Sequence, residues 1–195
     1  MEFRDVQDWA IAPSSSTELN QVMLELKERV RLMMYGRKSA AIFLRHENAS
    51  KSSSDNPNAR RDDNNYCQKH FQTIIINPLY RRKLKDRVVC VMDDYLTNGN
   101  TFETLRNLLV ACKVKKIIFV AIGKFIHRDE NCYSKKIFSI EGDVYQPGYT
   151  ATYQSKELLF FNVNNEVKRD VAQLTTLASK LDVIRNPFFV VTNTE

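Results

Sequence analysis

The sequence predicts an α/β protein with a doubly wound, mainly parallel sheet and a small C-terminal β/α appendage. Uninterrupted apolar runs at 88–92 and 117–122 are typical of strands that are covered on both faces. Two segments with helical spacing of apolar residues stand between predicted strands, where parallel neighbours need crossover connections. Because the pattern changes after residue 125, we expect an α/β core over 1–125 and a C-terminal hood or appended segment over 126–195.

The predicted core opens with a strand, a loop and a helix. Residues 6–11 are an apolar-rich strand, 13–17 a polar loop and 18–34 an amphipathic helix, for which Ser16 or Thr17 is a natural N-cap. The predicted buried face of this helix consists of Leu19, Val22, Met23, Leu26, Val30 and Met33. A helix that starts after a polar loop offers free backbone N–H groups to an anion.

The other core elements follow in order. Further strands are expected at 40–44, 71–76, 88–92 and 116–122, and a second helix at 102–112. A polar stretch at 46–65 separates the first two of these strands. Its near absence of apolar residues predicts a loop without regular structure that orders only when a ligand binds.

The C-terminal segment has a different pattern. Residues 136–144 and 150–163 are predicted β segments around a turn at 146–148. An amphipathic helix is expected at 166–181, and a final apolar stretch covers 187–191. This segment would act as a lid over the site or as extra packing on the sheet.

Composition and charge restrict the class of protein. Hydrophobic residues make up 43% of the 195 residues, which is enough for a packed core. No apolar run has the length of a membrane span, so we expect no membrane association. The four cysteines form no Cys-x-x-Cys pair and are typical of reduced, buried thiols in a cytoplasmic protein. The net charge of +6 suits either a nucleic acid or a phosphorylated small molecule.

The segment 88–101 carries the strongest functional signal. A buried strand leads into Asp93 and Asp94, and a small polar turn then leads into a helix. Gly99 allows a tight turn and close approach of an anion to the backbone, and the helix start favours a phosphate. The side chains that can add hydrogen bonds are Thr97, Asn98, Asn100 and Thr101. The two carboxylates would repel a phosphate and instead suit hydroxyl groups or a divalent cation.

This pattern resembles the signature of type I phosphoribosyltransferases, which bind phosphoribosyl pyrophosphate (PRPP). The signature has about four apolar residues, two acids, three residues of which the last is Thr or Ser, then a variable residue, Gly, another residue and Thr or Ser. The apolar run 89–92, the acidic pair, Thr97, Gly99 and Thr101 all match it, and Asn98 departs from the commoner Thr or Ala. There is a distant resemblance to competence-protein F-like members, although their Arg-Gly-Phe-Asn after the first strand is replaced here.

The resemblance implies a role for each part of the predicted site. Asp93 and Asp94 would bind the ribose hydroxyls and, indirectly, a metal ion. The turn after them would hold the 5-phosphate through Thr97, Asn98, Gly99, Asn100 and Thr101. The pyrophosphate group would be bound by Ser14, Ser15, Ser16, Thr17 and Arg45. The polar loop at 46–65 would contribute Arg60 and Arg61, and Phe125 would lie next to the base of the ligand.

The resemblance further implies an enzyme, a glycosyltransferase that moves a pentosyl group. It would bind PRPP or a nucleoside 5-monophosphate and transfer the ribose 5-phosphate group to a nitrogenous base, releasing pyrophosphate. Mg²⁺ would be the cofactor, since the leaving group carries several negative charges. Two alternatives stay open: a non-catalytic sensor of PRPP or nucleotides, and a nucleic-acid-associated interaction protein. We also expect a homodimer.

Overall fold

The structure is a computed structural model and describes residues 3–49, 63–124, 132–160 and 189–193. The strands are β1 (Asp8–Ile11), β2 (Phe43–Arg45), β3 (Ile74–Ile76), β4 (Val88–Leu96), β5 (Lys116–Lys124), β6 (Cys132–Glu141), β7 (Thr150–Phe160) and β8 (Phe189–Asn193). The helices are α1 (Gln21–Met33), α2 (Asp63–Thr73) and α3 (Asn100–Ala111). The fold is therefore mixed α/β, as predicted.

The main sheet has the strand order β1-β4-β5-β8. Strands β1, β4 and β5 are parallel, and β8 pairs antiparallel with β5, so this sheet is mainly parallel. Strands β2 and β3 form a separate antiparallel pair, as do β6 and β7. None of the helices in the described segments is long and apolar enough to cross a membrane.

Both faces of the main sheet are covered by helices. Alternate residues of β1, β4 and β5 belong to two different core clusters because successive strand side chains point to opposite faces. The cluster on the α1 side includes Trp9, Met23, Cys90, Met92 and Ile118. The cluster on the α3 side includes Val89, Val91, Leu105 and the stacked rings of Phe102 and Phe119, whose centroids are 4.4 Å apart.

Helix α1 begins later than predicted. Its N-cap is Asn20, whose side-chain oxygen accepts a hydrogen bond from the Met23 N–H at 3.2 Å. The prediction of Ser16 or Thr17 as N-cap is therefore wrong. The Ser14 hydroxyl donates to the Glu18 carbonyl at 2.7 Å and so stabilises this segment as a loop.

The buried face of α1 also differs from the prediction. Met23 is buried and Leu26 and Val30 pack against the core, but Val22 and Met33 are each 77% exposed and Leu19 is exposed too. Lys27 and Arg31 are buried instead, and both form ion pairs with Glu28. Long charged side chains of this kind can be buried through their aliphatic stems when the charged end has a partner.

Helix α2 was not predicted. It extends from Asp63 to Thr73, so the predicted strand at 71–76 is wrong in its first half, and β3 has only three residues. Cys67 and Phe71 stand four positions apart and are both buried, which is helical spacing. The predicted loop at 46–65 is wrong for its last three residues, and residues 50–62 lie outside the described part of the chain.

The motif strand β4 is longer than predicted, because the acidic pair lies within the strand rather than after it. Asp93 is opposite Ala121 and Tyr95 is opposite Gly123 on β5. A Cβ atom at Gly123 would lie 2.6 Å from the Tyr95 ring, so the ring occupies the space left by the glycine. Helix α3 then begins two residues earlier than predicted.

The C-terminal segment forms the predicted β hairpin, with β6 and β7 antiparallel. The hairpin shares a core with the preceding elements: the rings of Phe71 and Phe138 lie 4.8 Å apart, and Phe138 also contacts Tyr153. The apolar stretch at 187–191 supplies most of β8. The predicted helix at 166–181 lies outside the described residues, and the domain division after residue 125 stays a prediction.

Candidate functional site

The turn between β4 and α3 is built around a left-handed glycine. Gly99 has φ of +72° and is the N-cap of α3. Glycine has no side chain, so it supplies no side-chain acceptor to the first N–H groups of the helix. Helix starts that bind anions leave these N–H groups available to the ligand in the same way. A Cβ atom at this position would lie 2.7 Å from the Tyr133 ring of β6. Thr97 and Asn98 are exposed.

The two acids of β4 are in different environments. An Asp93 carboxylate oxygen accepts from the Asp94 N–H at 2.9 Å, and an Asp94 oxygen accepts from the Tyr95 N–H at 2.7 Å. Burial, followed by the neighbouring Asp94 charge, raises the pKa of Asp93 to about 8. Asp93 therefore holds a proton at neutral pH, while Asp94 is exposed.

The predicted pyrophosphate loop lies beside this acidic pair. The Ala12 N–H donates to the Met92 carbonyl at 2.8 Å, so the loop after β1 starts next to the end of the apolar part of β4. The segment after β2 supports the loop: the Thr17 N–H donates to the Asn48 side chain at 3.0 Å, and a further backbone bond joins Ala49 to Ser15 at 2.8 Å. Ser16 and Thr17 are exposed, as a ligand site requires.

Arg45 is the buried cation of the site, with 8% of its surface exposed. Its guanidinium donates to the Ser14 carbonyl, to the Thr73 hydroxyl and, at 3.3 Å, to His70 Nδ1. Burial lowers the pKa of Arg45 to about 10, which leaves it positively charged at neutral pH. Among the residues that the structure describes, no acidic side chain forms an ion pair with Arg45.

His70 connects Arg45 to the phosphate turn. Its Nδ1 faces the Arg45 guanidinium, and its Nε2 lies 3.5 Å from the Thr101 hydroxyl. Burial, together with the charges of Arg45 and Lys69, lowers the pKa of His70 to about 4, so the ring is neutral at pH 7. The sequence reasoning missed His70. The spacing of Cys67 and Phe71 is compatible with the helix that carries His70, but it suits a strand equally well and so could not identify the helix.

A buried polar network supports the first turn of α3. Glu103 is fully buried, pairs with Arg106 at 2.8 Å, and accepts from the Tyr133 hydroxyl at 2.8 Å and the Lys136 N–H at 2.6 Å. The Lys136 ammonium donates to the Asn100 side chain. Strand β6 therefore fixes the position of the turn through Tyr133 and Lys136, which the sequence reasoning also missed because they lie in the segment after residue 125.

Three predicted site residues, Arg60, Arg61 and Phe125, lie outside the described residues. Within the described part, no group of three or more His, Cys, Asp or Glu side chains is arranged to hold a metal ion. The adjacent carboxyl groups of Asp93 and Asp94 offer oxygen ligands of the kind that Mg²⁺ prefers, and this ion commonly takes its other ligands from water and substrate.

Comparison with known proteins gives no relative for this chain. No family model matches it, no curated protein matches it, and no solved structure matches its fold.

Proposed function

We propose that this protein is a type I phosphoribosyltransferase-like protein, in both fold and activity. It binds PRPP or a nucleoside 5-monophosphate and transfers the ribose 5-phosphate group to a nitrogenous base, with release of pyrophosphate. The observation that carries the proposal is the geometry of the motif, in which an acidic pair in the last half of the parallel strand β4 is followed by the left-handed Gly99, the N-cap of α3. The exposed Thr97 and Asn98 and the half-buried Thr101 would contact the 5-phosphate.

The charge of Arg45 supports an anionic ligand. A buried cation without an acidic partner is costly, and an anion bound nearby reduces this cost. Arg45 lies between Ser14 of the first loop and His70 beside the phosphate turn. Because its hydrogen bonds are already made to the protein, we assign to Arg45 chiefly an electrostatic attraction to the ligand's phosphate groups.

The acidic pair would bind the ribose hydroxyls. A protonated Asp93 can donate one hydrogen bond and accept another, whereas a carboxylate such as Asp94 only accepts. Together they match two neighbouring hydroxyls, each of which both donates and accepts. Mg²⁺, if bound by these oxygens and the ligand, would neutralise the pyrophosphate leaving group. The protein's own part is to position the ribose and stabilise the charge that develops.

We further propose that the protein acts in the cytoplasm and forms a homodimer. Cys90 and Cys112 are buried thiols that form no disulfide, which is typical of proteins in a reducing compartment. The exposed apolar side chains of α1, among them Val22 and Met33, offer a surface that a second copy would cover.

Binding and turnover together test the proposal. Purified protein is incubated with PRPP, Mg²⁺ and a panel of purine and pyrimidine bases, and pyrophosphate release is measured alongside titration calorimetry with PRPP. The double variant Asp93→Asn with Asp94→Asn should lower PRPP affinity at least about tenfold, or ~1.4 kcal/mol. The matched control is Asp86→Asn, an exposed acid at the start of the segment that leads to β4. Equal affinity in both variants would contradict the assignment.

A non-catalytic sensor of PRPP or nucleotides is the second candidate. The observation that favours it is the internal bonding of the first loop, where the Ser14 hydroxyl and the Arg45 guanidinium already bond to protein groups. PRPP binding without pyrophosphate release for any base would indicate this function. Affinity for DNA that falls steeply with salt would instead indicate a nucleic-acid partner.

A further inference from the structure

We infer that His70 is a positioning residue of the proposed phosphate site and that it orients the Thr101 hydroxyl so that its hydrogen points to the ligand. The inference rests on the proposed function, because the ligand is the one assigned to the turn at 97–101. It adds to the site a residue from α2, which the motif does not contain.

The tautomer of His70 follows from its neighbour. A guanidinium has donors only, so the contact between Arg45 Nη2 and His70 Nδ1 at 3.3 Å requires Nδ1 to accept. In a neutral imidazole the proton is then on Nε2. This nitrogen lies 3.5 Å from Thr101 Oγ1, at the long end of the range for hydrogen bonds, and it donates to the hydroxyl oxygen.

The Thr101 hydroxyl hydrogen is therefore left to donate elsewhere. In the body of a helix a threonine hydroxyl can donate to the carbonyl four residues earlier, as Thr104 does to Asn100 at 3.0 Å. Thr101 lies in the first turn, where the residue four positions earlier is Thr97, before the helix begins. With its oxygen bonded to His70, Thr101 presents a donor beside the free N–H groups of the helix start, where a phosphate oxygen would lie.

The same contacts connect the two ligand loops. Arg45 donates to the Ser14 carbonyl in the first loop and to His70, which donates to Thr101 in the second. A displacement of the first loop would thus change the position of the Thr101 hydroxyl. His70 acts through Thr101 and does not itself contact the ligand.

The test is a double-mutant cycle with ribose 5-phosphate as the probe, measured by titration calorimetry. Thr101→Val removes the hydroxyl, and His70→Asn keeps an acceptor for Arg45 near the position of Nδ1 but no donor to Thr101. We expect each single variant to lower affinity on the order of tenfold, and the double variant to lower it no further. His70→Gln, which keeps a donor near Nε2, should restore most of the affinity. Thr104→Val is the control, since its hydroxyl is bonded within the helix.

The outcomes separate this inference from the proposed function. If the wild-type protein binds ribose 5-phosphate and the losses from the two single variants add in full, His70 acts independently of Thr101 and the inference is overturned alone. If the wild-type protein does not bind ribose 5-phosphate or PRPP, the proposed function fails and the inference fails with it. The ¹⁵N chemical shifts of the His70 ring give a second readout: they should show the Nε2–H tautomer, and the Nδ1–H tautomer would overturn the inference.

Discussion

Replacement of Asp93 by Asn should stabilise the protein by an amount that depends on pH. Asp93 has a pKa of about 8 in the folded protein, against an ordinary value of 3.8. The folded state therefore keeps a proton that the unfolded state releases, so the free energy of unfolding of the wild-type protein falls as pH rises from about 4 to about 8. Asparagine has no such proton and can keep the hydrogen bond from the Asp94 N–H.

The size of the effect follows from this difference in pKa. A pH of 7 is about three units above the ordinary pKa of the carboxyl in the unfolded chain. At ~1.36 kcal/mol per unit, this lowers the free energy of unfolding of the wild-type protein by about 4 kcal/mol. Because Asp93 is partly open to solvent, screening reduces the expected gain to ~2 kcal/mol. At pH 4 the two proteins should differ by less than about 1 kcal/mol, since this pH is close to the ordinary pKa of 3.8 and the unfolded carboxyl has released only part of its proton.

Urea unfolding at pH 4, 5.5, 7 and 8 measures this difference. Asp86→Asn is the control, because it makes the same chemical change at an exposed acid. Asp94→Asn removes the neighbouring charge, the second cause of the raised pKa, and should reduce the wild-type slope without abolishing it. An equal gain for Asp93→Asn at pH 4 and pH 8 would refute the reasoning.

Three further variants test other parts of the structure by urea unfolding at pH 7. Gly99→Ala should cost about 1 to 3 kcal/mol, because φ is +72° and the new Cβ meets the Tyr133 ring; no loss of stability would contradict that packing. Glu103→Gln should cost about 3 kcal/mol by leaving Arg106 buried without a carboxylate, and adding Arg106→Met should recover part of it; additive losses would argue against the pair. Arg45→Met should cost about 1 to 3 kcal/mol, because it leaves the Ser14 carbonyl and His70 Nδ1 without a donor, and should weaken ribose 5-phosphate binding in calorimetry; unchanged affinity would remove Arg45 from the site.

The sequence was sufficient to predict the motif strand and the helix after it. The apolar run before Asp93 has the pattern of a doubly covered strand, and Gly99 marks the turn because its φ requires glycine. Helix α2 was not predictable in the same way, since Cys67 and Phe71 are separated by polar residues, and a β-branched run starts two residues after Phe71. Short apolar patterns of this kind suit a helix and a strand equally well.

The residues around the motif were harder to predict because they come from distant parts of the chain. His70 and Tyr133 reach the turn only after α2 and β6 have packed against α3. The face of α1 was misassigned for a different reason, since the long side chains of Lys27 and Arg31 are buried through their stems and their charges are paired with a neighbour.

The pairing of β5 with β8 affects how the chain folds while it is being synthesised. Ala121 is opposite Phe189, so the partner of β5 leaves the ribosome long after β5 itself. During that interval the apolar edge of β5 presents unpaired N–H and C=O groups, to which another nascent chain can add a strand. Pairing β5 with β8 also requires the long chain between them to close into a loop, which slows folding. Chaperones that shield strand edges during translation should therefore increase the yield of native protein.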